Sequence, residues 1–324
     1  MTRKIWIWGL LVVAIVGLMA GFYINKMESS QGNVNAPVAT KRQAGERVIG
    51  YLGKEYTLPG KIDRIVVTGA LEALEDLLVL GVTPAGVMTI GGTFPIMFTD
   101  ITQGAQPIGE RMQPSFEAIL KIRPEIILSS DKFPAATTEQ LKKIATTIPI
   151  SHFPRDGAAN LRFLGEVTGR QEKAEEVLRK YGQDAAAAKA RLLEQVKDKK
   201  VVAVRIRVGN ITVYPANVFF NDILYTELGL PIPEEIKAVK AQEVISLEKF
   251  SEMDPDYIFV QYVVSESPAQ PKAVEELQNN PIWRSMKAVK NNNVFINVVD
   301  PLIQGVAIGG KIQFLNAAVE KLSQ

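Results

Sequence analysis

The sequence predicts an α/β fold made of two α/β lobes joined by one long helix. Three observations carry this. An uninterrupted helical stretch, Arg170–Lys197, lies near the middle of the chain. Helical and β-rich segments alternate on both sides of it, the arrangement from which α/β layers are built. One fourteen-residue pattern also occurs on each side of the stretch.

The helix is the element around which the rest is arranged. Arg170–Lys197 spans 28 residues with no Pro and one Gly, Gly182. Ala174, Val177, Leu178, Tyr181, Ala185, Ala188, Leu192 and Val196 follow the helical period. Ala, Glu, Lys, Arg and Leu, all strong helix formers, dominate it. Glu172 near its start and Lys197, Lys199 and Lys200 at its end complement the helix dipole. At 1.5 Å per residue it would reach about 40 Å. A long surface helix on one large domain would carry the same pattern. A strut between two lobes also accounts for the alternation on either side.

The N-terminal segment, residues 1–27, reads as a membrane anchor or signal segment. Ile5–Ile24 is twenty residues without a charge, enough to cross a bilayer core of about 30 Å. Arg3 and Lys4 precede it, which predicts a cytoplasmic N-terminus and an exported body. A cleaved signal peptide is the alternative, but its apolar core would be shorter and would end at a small-residue cleavage site. Residues 28–45 are polar and hold Gly, Pro and Asn, so they read as a flexible linker.

Residues 46–168 are expected to form the N-terminal lobe. Val48–Leu58 reads as a hairpin, Arg64–Val67 and Ala85–Thr89 as strands, and Leu71–Leu80 as a helix closed by Gly81. Gly91-Gly92 reads as a turn rather than a phosphate cradle. Ile126–Leu128 and Ile148–Ile150 read as strands, with a helix expected over Thr138–Ala145. After the linking helix, residues 169–198, the second lobe occupies 199–324. In Val201–Val208 the residues Val202, Val204, Ile206 and Val208 alternate with Ala203, Arg205 and Arg207. Gly209-Asn210 is the expected hairpin turn pair, leading to Ile211–Tyr214. Asp222–Leu228, Pro281–Val289 and Gly310–Leu322 read as helices, and Asp256–Gln261 and Val294–Val298 as strands.

The repeat aligns Ser115–Leu128 with Ser246–Phe259 without gaps. Ser, an apolar residue and Glu are followed seven residues later by Pro, then an acid and a β-rich run. Each copy places a Glu, Glu117 or Glu248, in a first helical turn. A helix dipole stabilises a carboxylate there, which is a sufficient structural reason for both. Two exposed carboxylates held apart by a rigid strut could equally meet two cationic pockets on a two-fold symmetric partner.

Composition excludes several classes. The 324 residues are 47% hydrophobic and 22% charged, with a net charge of +2. Without Arg3, Lys4 and Lys26 the chain has 34 basic and 35 acidic residues, so it is not built to bind nucleic acid. The absence of cysteine excludes disulfides, thiol catalysis and Cys-bound metal. His152 is the only histidine, which argues against a multi-histidine zinc or manganese site. There is no G-x-S-x-G elbow and no P-loop, which argues against a membrane-tethered hydrolase. An extracytoplasmic sensor would need a partner to signal.

With these residues in hand, residues 46–324 resemble the solute-binding proteins of iron-siderophore ABC importers. The resemblance rests on Arg64–Val67 with Leu77–Val82, Ile108-Gly109 followed by Pro114–Ile119, the strut, Ser246-Leu247-Glu248, Asp254-Pro255-Asp256 and Asn280–Trp283. The run Val213–Asn221 is most similar to bacillus-type binders of hydroxamate and citrate-hydroxamate chelates. The resemblance implies a ligand cleft between the lobes, no enzymatic activity and no cofactor, since iron arrives already chelated. It implies that the protein acts as a monomer and hands a ferric siderophore to an ABC permease dimer with its ATPase. In that scheme Glu117 and Glu248 dock onto permease arginines. Leu18-Met19-Ala20-Gly21 has the shape of a lipoprotein motif with Gly21 in place of Cys. Attachment to the outer face of the membrane would then rest on residues 5–24 rather than on a lipid.

A cleft for an anionic chelate needs fixed cations and apolar or aromatic walls. The candidates are Arg111, Arg205, Arg207, Lys240 and Gln242, with Phe133 and Tyr214 as walls and Tyr225 and Tyr262 as further aromatic candidates. Each could instead be an ordinary core or surface residue. Cobalamin or haem binding is the alternative within the same importer class, and haem would ask for a Tyr or His axial ligand.

Overall fold

Strands form where β-branched and apolar residues run together, and those runs pair into a mainly parallel sheet in the first lobe and a mixed sheet in the second. The computed structural model describes residues 45–264 and 269–324. The apolar run Ile5–Ile24 and the linker up to residue 44 lie outside the described residues. In the first lobe β1 (Glu46–Tyr51) and β2 (Lys54–Pro59) form the expected hairpin. The strands β3 (Ile65–Thr68), β4 (Gly86–Thr89), β5 (Gln106–Glu110), β6 (Gln113–Pro114), β7 (Ile126–Ser130) and β8 (Thr146–Ile150) form one sheet. Its order is β6-β5-β4-β3-β7-β8, and only β5–β6 is antiparallel. β3, β4 and β7 are buried along their whole length, as parallel strands covered on both faces must be. Strand order reverses between β3 and β7, so a crevice opens at their carboxyl ends.

The second lobe holds β9 (Val201–Arg207), β10 (Asn210–Val213), β11 (Glu243–Ile245), β12 (Tyr257–Tyr262) and β13 (Val294–Ile296) in the order β11-β10-β9-β12-β13. β9, β12 and β13 are parallel, and β10 runs antiparallel to both its neighbours.

The long helix is Gln171–Val196, 26 residues and about 39 Å. It buries Ala174, Tyr181, Ala185, Ala188, Leu192 and Val196, the stripe read from the sequence; Val177 and Leu178 are partly buried against the same core. A closing helix, Ile308–Leu322, packs against both the long helix and the first-lobe helix Leu71–Leu80. The close approach needs glycine: a Cβ on Gly309 would lie 2.7 Å from the backbone oxygen of Glu75. A buried ion cluster fastens the closing helix on its other side. Lys311 Nζ lies 2.7 Å from both Asp222 and Glu227, and Tyr181 of the long helix donates its hydroxyl to Glu227. Burial alone would lower the Lys311 pKa, but Glu227 and Asp222 outweigh it and raise it.

The sequence repeat is a structural repeat. Ser115 caps the helix Phe116–Ile122 by accepting from Ala118 N–H, and Ser246 caps Leu247–Met253 by accepting from Lys249 N–H. Both helices end on a left-handed residue, Arg123 or Asp254. After the proline, Glu125 accepts from Arg64 N–H at 2.6 Å and Asp256 accepts from Lys200 N–H at 2.9 Å. Each acid thereby ties its turn to the residue leading into the neighbouring central strand.

Several boundaries differ from the sequence reading. The helix expected over Thr138–Ala145 is Ala135–Lys142, because Pro134 fixes the backbone that leads into its first turn. The turn of the β9–β10 hairpin is Val208-Gly209, not Gly209-Asn210: Arg207 pairs with Asn210, and Val208 and Gly209 both take positive φ. Val208 is therefore 58% exposed rather than part of the buried face. Asp222–Glu227 is wound as a π-helix. The Pro281–Val289 helix breaks at Met286, whose extended backbone separates Pro281–Ser285 from Lys287–Lys290.

Candidate functional site

A cavity of about 560 Å³ is lined by residues that follow the carboxyl ends of strands in the first lobe and by the end of β9 in the second. This is where parallel α/β sheets leave a crevice. Arg111 and Met112 sit in the tight turn between β5 and β6; Lys132 follows β7, and His152 follows β8. Arg205 and Arg207 come from β9 itself. Pro154, Tyr214, Val218, Phe219, Gln242, Gln304 and Val306 also line it. Among the described residues, no Asp or Glu lines this cavity.

The turn holding Arg111 is fixed by its neighbours. Gly109 has φ +98°, and a Cβ there would lie 2.6 Å from the backbone oxygen of Gln113. Arg111 N–H donates to Thr89 O at 2.9 Å. Glu110 accepts from Thr89 Oγ1, Gly92 N–H and Gly91 N–H, and the first of these contributes most to lowering its pKa. The Gly91-Gly92 loop therefore holds a carboxylate of the chain itself.

Lys132 is partly withdrawn from water, and this desolvation lowers its pKa. Glu72 and Asp131 oppose the shift, while Arg111 and Arg205 reinforce it. Three cations thus act on one another across the cavity. His152 stands beside them. Its Nδ1 lies 2.7 Å from Asp131 Oδ1, and its backbone N–H donates to Asp131 Oδ2 at 3.2 Å. Arg205 is 3% exposed on a strand flanked on both sides, and Arg207 is half-buried. The aromatic wall is a stacked pair, Tyr214 and Phe219, with ring centroids 4.7 Å apart. Phe220 carries the contact on to Phe314 of the closing helix.

Behind the cations lies a set of buried acids on the helix Leu71–Leu80. Glu72, Glu75 and Asp76 are each at most 5% exposed. Burial raises all three pKa values, and Asp76 reaches about 8 even though it accepts from backbone N–H groups of Gly309 and Ile308.

The structure brings together Arg111, Arg205, Arg207, Tyr214 and Gln242 among the residues expected from sequence. It does not bring Lys240 or Phe133 to the cavity. Lys240 is exposed two residues before Gln242, and Phe133 is packed in a minor first-lobe core with Leu141 and Ile127. Tyr225 and Tyr262 are core residues that donate to Val201 O and Gln270 O. Lys132 and Gln304 line the cavity without having been singled out by the sequence reading. The signal for Lys132 was its place two residues beyond the end of a fully buried strand. Glu117 and Glu248 are both exposed, and Glu117 pairs with Lys121 at 2.8 Å. Among the described residues no group of three or more His, Cys, Asp or Glu side chains is placed to hold a metal ion.

Comparison with known proteins is consistent along the chain. A family profile described as periplasmic binding protein matches residues 66–297. The iron-uptake system-binding protein of Bacillus subtilis is 43% identical over 314 residues, covering 97% of this chain and 98% of its own length. A probable siderophore-binding lipoprotein of the same organism, YfiY, is 26% identical over 91% of this chain and 92% of its own. Among solved structures, the triscatecholate siderophore binding protein FeuA from Bacillus subtilis, complexed with ferri-bacillibactin, superposes with a TM-score of 0.81 at 46% identity. That match covers 86% of this chain and 98% of the other.

Proposed function

This chain belongs to the periplasmic binding protein family, and from that premise we propose that it captures a ferric siderophore of the catecholate class and delivers it to an ABC importer. The observation that carries the reading is the cavity lined by Arg111, Lys132, Arg205 and Arg207, with no carboxylate among its described lining residues. A ferric tris-catecholate carries three negative charges, whereas a ferric tris-hydroxamate is neutral. Fixed cations in a partly desolvated site favour the anionic complex far more than the neutral one. The catecholate class therefore replaces the hydroxamate class expected from sequence. FeuA, which holds a triscatecholate, is the relative that supports this choice.

In this reading Arg205 and Arg207 supply charge from the second lobe, and Arg111 and Lys132 from the first. Tyr214 and Phe219 contact the organic shell, and Gln242 and Gln304 offer neutral hydrogen bonds. Iron stays with its chelator. The exposed Glu117 and Glu248, one per lobe on matched helices, engage cationic sites of a two-fold permease with its ATPase. The protein works as a monomer at the outer face of the membrane.

A thermal-shift panel of ferric chelates tests the reading. Ligand at about 100 times its Kd stabilises the native state by about 2.7 kcal/mol, a clear rise in Tm. A rise with ferric tris-catecholates is expected, and no shift with any ferric chelate would remove the siderophore reading altogether.

A further inference from the structure

We propose that Tyr51 and Asn160 are positioning residues for ligand capture: they hold the loop after β8, which gives His152 and Pro154 to the cavity, in its ligand-ready shape. This rests on the siderophore reading above. The hairpin that carries Tyr51 has no other part in that reading. It forms a two-stranded sheet of its own, paired with neither lobe's sheet. It is nevertheless tied along the helix Gly157–Thr168. Arg47 donates to Glu166 O at 2.9 Å and to Val167 O at 2.7 Å, where that helix ends. Tyr51 reaches the first half of the helix, with its ring 4.6 Å from that of Phe163 and its hydroxyl on Asn160.

The contact to the loop is a closed circuit through Ser151, the residue before His152. Ser151 N–H donates to the Tyr51 hydroxyl oxygen at 2.9 Å. Tyr51 O–H donates to Asn160 Oδ1 at 2.6 Å. Asn160 Nδ2 donates to Ser151 O at 2.9 Å. The donors and acceptors run in one direction only, so the circuit also fixes the orientation of the Asn160 amide. All three residues are at most 5% exposed. The Ser151 hydroxyl works within the loop: it donates to Asp156 Oδ2 at 2.6 Å and accepts from Phe153 N–H at 3.3 Å. On the other side of Ser151, His152 N–H donates to Asp131 Oδ2.

The loop needs such support because nothing else orders its backbone. Strand β8 ends at Ile150, and Ser151, His152 and Phe153 belong to no helix or strand. A loop free to sample other backbone states would have to be ordered by the ligand, at the expense of affinity. The circuit orders it beforehand. The two ties of the hairpin therefore differ in what they control. The Arg47 tie lies at the far end of the helix and fastens the hairpin alone. The Tyr51 tie acts one residue from the cavity wall.

The test compares Tyr51→Phe, Asn160→Ala and Arg47→Ala in the full chain, by urea unfolding and by calorimetric titration with a ferric tris-catecholate. All three should lower the urea midpoint. Only Tyr51→Phe and Asn160→Ala should weaken binding, by roughly fivefold or more at a temperature where every variant is folded. Amide hydrogen exchange over residues 150–157 gives a second reading. Wild type should be protected there with and without chelate. In Tyr51→Phe the segment should exchange faster when free and regain protection when chelate is bound. Wild-type affinity in Tyr51→Phe, or an equal loss in Arg47→Ala, would overturn the assignment. Equal protection of the segment in free Tyr51→Phe and free wild type would do the same. No binding of any ferric chelate by wild type would instead remove the siderophore reading, and this inference with it.

Discussion

Asp76 of the first-lobe helix accepts a hydrogen bond from the backbone N–H of Gly309, 233 positions further along the chain, at the start of the closing helix. The side chain is fully buried and serves as the cap that the closing helix lacks within its own sequence. Gly309 and Gly310, weak helix formers, are placed where the helix must come closest to Glu75.

That clasp makes stability pH-dependent. In the unfolded chain Glu72, Glu75 and Asp76 ionise near pH 4; in the fold burial raises all three, Asp76 to about 8. The native state thus holds more protons between those limits, and stability falls as pH rises from about 4 to 8. Each proton retained contributes a slope of about 1.4 kcal/mol per pH unit. Asp76→Asn, neutral at every pH, should flatten part of the slope and raise stability at pH 8. Urea unfolding across pH 5–9 measures both effects; a wild-type stability that increases with pH over that range would refute the burial argument.

The buried cluster at Lys311 should respond in the opposite sense to mutation. Lys311→Met leaves Asp222 and Glu227 buried without their cation. The expected loss is about 3–5 kcal/mol. It would show as a lower urea midpoint with an unchanged slope.

Arg207 tests the cationic wall. Its replacement by Ala should weaken binding of an anionic chelate by about 1.5–3 kcal/mol, the range of a charged hydrogen bond. Lys240→Ala, outside the cavity, should change affinity little. Calorimetry on both variants separates them.

Glu117 and Glu248 test delivery. Both are exposed and lie outside the cavity. Changing both to Ala should leave chelate affinity intact and abolish iron uptake in cells that depend on this protein. Uptake that continues at the wild-type rate would remove them from docking.

The sequence made the long helix legible because Gln171–Val196 states its period and composition locally. It made Arg205 and Arg207 legible because a strand alternates its faces. The turn at Val208-Gly209 was not legible, since a β-branched residue at φ 47° runs against local preference. Lys132 was hidden for another reason: Ser129-Ser130-Asp131-Lys132 has no periodic signal, and its place on the cavity with Arg205 is visible only in the folded chain. The Lys240–Gln242 pair divided for the same reason, as the approach to β11 turns one residue into the cavity and leaves the other in solvent.

The central claim is that this cavity selects by charge. Calorimetric titration of the same protein with a ferric tris-catecholate and with a neutral ferric tris-hydroxamate tests it most directly. The catecholate should bind at least about 100-fold more tightly, a difference of about 2.7 kcal/mol. Equal affinities, or tighter binding of the hydroxamate, would contradict it.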